Sequence, residues 1–303
     1  MKTRIKGIIP PIVTPFDADG VVDERMLREN IRFQLSRGVH GVCFGGSTGE
    51  GHTLTSDELV QIAEICVEEA GGRVPVVAGI ITNSTRDAAQ KAKRMAACGV
   101  DALQITPVHY LFKPDENATY SHFATLGDAT DLPILIYNVI AWNYISPALL
   151  VRMMHDIPNV KGVKQSAGDL KLMADLLVSA PQDAIVLSAV DALLYPSFAL
   201  GAHGTIAANP AALPGVCVAL WDAMQAGNHQ LATEIHVALL RFWNTISADN
   251  LPANVKHALH LQGVASGLPR APMPATSAEQ ATRIQAQLQQ VLKYDPYATA
   301  TAA

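Results

Sequence analysis

Charge is scarce in this chain: only 16% of its 303 residues are Asp, Glu, Lys or Arg. With 27 acidic against 22 basic residues, the formal charge of -5 offers no basic surplus to hold nucleic acid or an anionic membrane. Cysteine is rare as well. Cys43, Cys66, Cys98 and Cys217 stand far apart with no Cys-x-x-Cys. That excludes a zinc-thiolate site and reads as reduced, mostly buried thiols of a cytoplasmic protein. No uncharged apolar run reaches membrane-spanning length. The opening Met1-Lys2-Thr3-Arg4-Ile5-Lys6 is basic, but Gly7 and Pro10-Pro11 follow where an apolar core would have to stand, so a signal peptide does not fit. No Walker loop or dinucleotide fingerprint follows a strand, and no nucleotide cofactor is expected. Metal is not expected either. His257 and His260, three apart on a predicted helix, read as an ordinary surface pair, and His52 as a loop residue in contact with solvent.

What the chain has in abundance is apolar content, 49%, arranged as short β-branched runs between longer amphipathic stretches. The runs are Gly7-Ile8-Ile9, Gly41-Val42-Cys43-Phe44, the stretch from Val74 to Gly79, Ala102-Leu103-Gln104-Ile105, the stretches from Ile134 to Asn138, Val160 to Lys164 and Ala184 to Ser188, and Gly204-Thr205-Ile206. Eight such runs, each followed by a helical stretch, predict parallel βαβ units. Their simplest closure is an α/β fold, the (β/α)8 TIM barrel, with a doubly wound open sheet as the alternative. Helix ends support the alternation: Thr55 with Glu58 as a capping box, Ser146 with Pro147 as cap and first-turn proline, and Gly38 as a stop. Beyond the eighth run the pattern is wholly helical. Leu213 to Gln225 is expected to close the barrel. Stretches around Gln230 to Ile246, Asn254 to Gln262 and Ser277 to Leu292 suit a C-terminal helical appendage. The expected division is 1–228 for a barrel carrying the active site and 229–303 for a helical region, with a frayed tail from Tyr297 onward.

One residue in this frame needs a chemical explanation. Lys164 ends the apolar strand Val160-Lys161-Gly162-Val163-Lys164, where an ammonium ion is normally costly. Lys161 has opposite strand parity and should not point into the same cavity; Lys113 and Lys171 read as solvated. The preceding strand ends in Tyr137 at the matching level. Predicted strand two leads into Gly45-Gly46-Ser47-Thr48-Gly49-Glu50, a turn whose backbone amides suit a carboxylate. These three features fall at the carboxyl ends of strands two, five and six, whose loops meet at one mouth in a parallel barrel. An amine and a phenol meeting there suit Schiff-base chemistry on a keto acid.

Gly46-Ser47-Thr48-Gly49-Glu50, Tyr137-Asn138-Val139 and Gly162-Val163-Lys164, with the opening from Gly7 to Phe16, resemble the dihydrodipicolinate synthase and N-acetylneuraminate lyase family of class I pyruvate lyases and aldolases. The resemblance runs from about residue 5 to residue 290. It implies that Lys164 forms an imine with the keto carbon of pyruvate or a longer 2-keto acid. That step needs a neutral amine, although a free lysine titrates near about 10.4. It implies Tyr137 as proton shuttle and Thr48 as the hydrogen-bond partner that positions the phenol. The amides of Ser47 and Thr48 would receive the carboxylate, and the Ile206 backbone carbonyl would face the keto acid. A tyrosine lent by a neighbouring subunit has its counterpart in Tyr110, within residues 107–114. The partners implied are pyruvate and an aldehyde, no cofactor, and further copies of the chain in a homo-oligomer, a dimer or a dimer of dimers.

Two departures bear on substrate. Trp142 stands where the biosynthetic synthases carry an arginine that grips the aldehyde's carboxylate; losing that contact removes roughly 1.5–3 kcal/mol of charge-assisted binding. Ala189 stands where they usually carry glycine and narrows that side of the pocket. Both demote lysine-pathway synthase activity in favour of a lyase or aldolase releasing pyruvate and an aldehyde. Dihydrodipicolinate synthase itself, a keto-deoxy-sugar-acid dehydratase and a non-catalytic keto-acid sensor are the alternatives.

Overall fold

The computed structural model describes residues 5–298. Eight strands alternate with helices: β1 (Gly7–Ile8), α1 (Glu24–Ser36), β2 (Val42–Phe44), α2 (Ser56–Ala70), β3 (Val76–Ile80), α3 (Thr85–Ala97), β4 (Ala102–Ile105), α4 (Glu116–Ala129), β5 (Ile134–Asn138), α5 (Pro147–Asp156), β6 (Val160–Gln165), α6 (Leu170–Ser179), β7 (Ile185–Ser188), α7 (Leu194–Ala199) and β8 (Gly204–Thr205). All ladders are parallel, in the order β1-β8-β7-β6-β5-β4-β3-β2. A parallel bridge between Pro11 and Cys43 joins β1 to β2 and closes the ring. The fold is a (β/α)8 TIM barrel.

Local chemistry sets the helix ends. Thr55 and Glu58 form the expected reciprocal capping box on α2, Ser146 caps α5 ahead of Pro147, and Gly38 follows α1 at φ +73°. Strand three starts at Val76, later than expected from the Val74 run, because Pro75 has no N–H for the ladder; its carbonyl accepts from Val42 instead. Two short helices follow β7 and β8, α7 and α8 (Ala208–Ala212), and then α9 (Pro214–Gln225), α10 (His229–Ile246), α11 (Leu251–His260) and α12 (Ala278–Val291). The last three are the appendage. Its apolar faces are continuous with the barrel's outer core: Leu239 and Phe242 of α10 and Ile284 of α12 belong to one buried cluster with Trp221 of α9, Leu27 and Ile62. Each such fully buried aliphatic side chain contributes roughly 1.5–3 kcal/mol.

The expected frayed tail needs correction at its start. The Tyr297 carbonyl accepts from Arg37 and its ring lies under the same guanidinium, so a cation and a backbone acceptor anchor it. Residues 1–4 and 299–303, which hold most of the basic opening and the rest of the tail, lie outside the described residues. Among the described residues no helix is long and apolar enough to cross a membrane.

A second, smaller cluster fills the barrel itself: Ile9, Cys43, Val77, Ala102, Leu135, Leu187 and Ile206 with Ile5. Inward side chains of such a barrel form layers of four drawn from alternate strands. The strand register assigns Ile9, Val77, Leu135 and Leu187 to an apolar floor, and Cys43, Gln104, Lys164 and Ile206 to the layer above it. Tyr137 and Ala189 come next toward the mouth, on β5 and just past β7.

Candidate active site

Lys164 and Tyr137 are direct neighbours in the β5–β6 ladder, and both side chains point into the barrel. The Lys164 Nζ lies 3.7 Å from the centre of the Tyr137 ring. Lys164 is only 4% exposed, yet among the described residues no carboxylate or carbonyl engages its Nζ. An amine held this way, over a phenol and without an ion-pair partner among the described residues, is a candidate nucleophile for a carbonyl carbon. Lys161 sits on the other face of the same strand and reaches Asp183 at 3.4 Å, as its parity requires.

The Tyr137 hydroxyl has a different partner from the one expected. Its hydrogen bond, 3.2 Å, is to the Ser47 hydroxyl, while Thr48 makes none to it. Both residues come from the turn after β2, and the turn's path presents Ser47 to the mouth while Thr48 is 9% exposed. No hydrogen bond of the described residues uses the backbone N–H of Ser47 or Thr48, so the turn keeps two donors for an anion.

This turn is folded tightly against its neighbours. A Cβ on Gly79 would come within 2.6 Å of the Gly45 backbone, so only glycine allows strand three to pass so close. Glu50, with φ +55°, holds a left-handed conformation unusual for a side chain of its kind. A buried ion pair fixes it: Lys256 of α11 donates to Glu50 Oε1 at 2.6 Å and to the Leu268 carbonyl, while the Arg270 N–H donates to Glu50 Oε2. Burial pulls the Lys256 ammonium below its ordinary value, and Glu50 acts against that shift. The Arg270 side chain binds Glu58 and the carbonyls of Gly20 and Thr53, and the Thr14 hydroxyl donates to the Gly49 carbonyl. The appendage thus reaches back to brace the turn under the mouth. Lys256 lies 206 residues from Glu50 in the chain, and nothing in the sequence pattern alone marks the pair.

The remaining expected residues surround the mouth at different depths. Ile206 is fully buried beside β8 in the Lys164 layer, and its N–H donates to Ser188. Ala189 follows β7, its N–H bonded to the Gln165 carbonyl. Trp142 is 64% exposed and donates its indole N–H to the His109 carbonyl at 3.1 Å. Asn143 similarly donates to the Val108 carbonyl, and Asn138 holds Ile145 through both its amide atoms. Trp142 therefore pins the loop after β5 to the loop after β4. Tyr110 lies on that second loop with its side chain 65% exposed, beside the exposed Leu111 and Phe112.

Asp191 was not expected. It is fully buried after β7 and accepts from the backbone N–H groups of Ala208 and Asn209, at the start of α8. Burial raises its carboxyl to about 6, against the opposing pull of those N–H groups and of Lys164. Among the described residues no cluster of His, Cys, Asp and Glu could hold a metal ion; His260 and His52 are exposed and His257 half-buried.

Comparisons with known proteins show the family and the fold. Residues 4–291 match the model of the dihydrodipicolinate synthetase family. The chain belongs to the dihydrodipicolinate synthetase family. Among its curated relatives, the 4-hydroxy-tetrahydrodipicolinate synthase of Methanopyrus kandleri is 35% identical over 90% of this chain and 92% of its own length. That of Bradyrhizobium diazoefficiens is 34% identical, with the same shares covered. Solved family structures superimpose closely. Dihydrodipicolinate synthase from Bacillus anthracis has a TM-score of 0.90 at 30% identity, over 94% of this chain and 98% of that one. A prophage protein of the family from E. coli K12, solved in complex with pyruvate, has a TM-score of 0.91 at 26% identity, over 95% and 98% of the two chains.

Proposed function

We propose that this member of the dihydrodipicolinate synthetase family is a class I lyase or aldolase that makes or breaks a carbon-carbon bond beside a pyruvate unit through an imine on Lys164. The observation that carries the reading is the buried, ion-pair-free Lys164 amine 3.7 Å from the ring of Tyr137. The amine attacks the keto carbon and, after loss of water, leaves a protonated imine. That imine draws the electron pair of the breaking bond into an enamine, so no free carbanion forms. Tyr137, hydrogen-bonded to Ser47, takes the proton from the substrate hydroxyl as the aldehyde leaves and returns one to the enamine carbon. The uncommitted N–H groups of Ser47 and Thr48 hold the carboxylate, and Ile206 walls the keto-acid side. Tyr110 completes the mouth of a neighbouring copy, in keeping with its exposure here.

Trp142 favours an aldehyde without a distal carboxylate, because the residue at that point is an indole tied to a neighbouring loop and not a cation. The second reading is 4-hydroxy-tetrahydrodipicolinate synthase, which the names of the curated relatives favour. Two assays separate them: pyruvate release from a panel of 4-hydroxy-2-keto acids, and consumption of pyruvate with aspartate semialdehyde. Release from the panel, at least about a hundredfold lower in Tyr137→Phe, supports the lyase. Turnover only with aspartate semialdehyde overturns it.

A further inference from the structure

Gln104 is a glutamine with no protein partner in the middle of the barrel. It is fully buried, and both its amide nitrogen and its amide oxygen lack a hydrogen bond. Flipping the amide changes nothing, since both ends are unmatched. The register assigns it to the same layer as Lys164, with Cys43 and Ile206 completing the set. Two residues on, Thr106 continues the inward face of β4, and its buried hydroxyl also has no partner. Glutamine and threonine on one inward face, both unmatched, make β4 the polar wall of the chamber. Leu187, Ala189 and Ile206 make the facing wall apolar.

A buried polar group without a partner is costly, and three such atoms share this one inward face. A hydrophobic residue at position 104 would extend the apolar floor at no such cost. The position of the amide shows what relieves it. One end of the Gln104 amide packs against the turn after β2, where a Cβ on Gly46 would meet it at 2.8 Å. It therefore lies between the Lys164 layer and the residue just before the two free N–H groups of Ser47 and Thr48. A 2-keto acid held by both has its carboxylate on the turn and its keto carbon at the amine, and Gln104 lies alongside.

We propose that Gln104 is a substrate-binding residue of this site: its amide N–H donates to the carboxylate of the bound 2-keto acid, adding a side-chain donor to the backbone donors of the turn. This rests on the keto-acid reading above. A glutamine suits the task better than lysine or arginine. It supplies a donor without placing a second cation beside the reacting amine. The Thr106 hydroxyl, also unmatched, stands one step nearer the mouth on the same inward face.

The test separates binding from folding, and Gln104 from the imine. Pyruvate affinity is measured by calorimetry on the full chain, with Gln104→Leu and Gln104→Met as variants of similar size. Borohydride trapping is run in parallel on each protein. Both variants are expected to bind pyruvate about ten- to a hundredfold more weakly, in line with loss of a hydrogen bond to a charged group. Their melting temperatures should be unchanged or raised, because the change removes an unmatched buried amide. Weakened binding with intact melting supports the proposal even if no protein is trapped, an outcome that would remove the imine and leave Gln104 in place. Wild-type affinity in either variant, a loss of affinity only in step with a lowered melting temperature, or no pyruvate binding by the wild type overturns it.

Discussion

Among the described residues two lysines are almost wholly buried, and they live in opposite surroundings. Lys256, 2% exposed, meets Glu50 at 2.6 Å and the Leu268 carbonyl. Lys164, 4% exposed, meets a phenol ring and no carboxylate partner. A paired ammonium is neutralised where it stands, and it does structural work by holding the left-handed Glu50 and the turn attached to it. An unpaired amine held over a phenol ring has no carboxylate or carbonyl to occupy it, which leaves it open to a carbonyl carbon. Burial is common to both; the missing partner sets Lys164 apart as the nucleophile of the proposed function.

The widest separation between the two should come from removing each in turn. Lys164→Ala is expected to lower kcat/KM by at least about a thousandfold, with an unchanged or raised melting temperature because a buried amine without a partner is removed. An unperturbed rate would break the comparison at once. Lys256→Ala should show the reverse. It leaves the buried Glu50 without its cation, and the loss of stability on denaturant unfolding should be about 3–5 kcal/mol. Its effect on the rate should pass through the turn, as a raised KM for the keto acid. If Lys256→Ala melts like the wild type, the brace is not holding the site.

Asp191 sharpens the contrast by pH. It is a carboxylate whose charge Lys164 feels, yet its hydrogen bonds go to the N–H groups of Ala208 and Asn209. Burial raises its carboxyl to about 6 from an ordinary 3.8, so in the range between those values the folded protein binds more protons than the unfolded chain. The sign follows: its contribution to stability is full below about 4 and is lost as pH climbs through about 6, a change of about 3 kcal/mol at most. Melting curves of the wild type and Asp191→Asn should therefore converge or separate across pH 4 to 7, with the wild type gaining on the variant as pH falls. A constant difference across that range would show the carboxyl to be unperturbed. The smallest effect is expected from Trp142→Arg, a several-fold gain in use of carboxylated aldehydes, read as relative kcat/KM; no gain would mean that the indole's place faces away from the second substrate.

Much of the barrel was legible because it follows from periodicity and end signals: the Thr55 and Glu58 box, Ser146 with Pro147, and β-branched runs that recur at strand length. Lys164 and Tyr137 were legible for the same reason. Strand parity and strand-end position suffice to bring them together, and the ladder pairs them directly. What stayed hidden depends on contacts between distant segments or on the path of a turn. The Lys256–Glu50 brace joins residues 206 apart, and a lysine in a helical pattern gives no sign of burial. Ser47 and Thr48 are adjacent hydroxyls, and only the turn's geometry decides that Ser47 reaches the phenol. Gln104 sits in a strand whose other residues are apolar, so it passed as a strand residue; its inward parity and polar amide were the available signal. Tyr297 looked like loose tail because one cation–π contact and one backbone acceptor leave no periodic trace.

The most direct test of the central claim is reduction with borohydride in the presence of pyruvate, followed by peptide mass mapping of both buried lysines in the same digest. An imine on Lys164 requires the reduced pyruvate adduct on the peptide bearing Lys164 and none on the peptide bearing Lys256. An unmodified Lys164 peptide, or an adduct on Lys256 in its place, would contradict it.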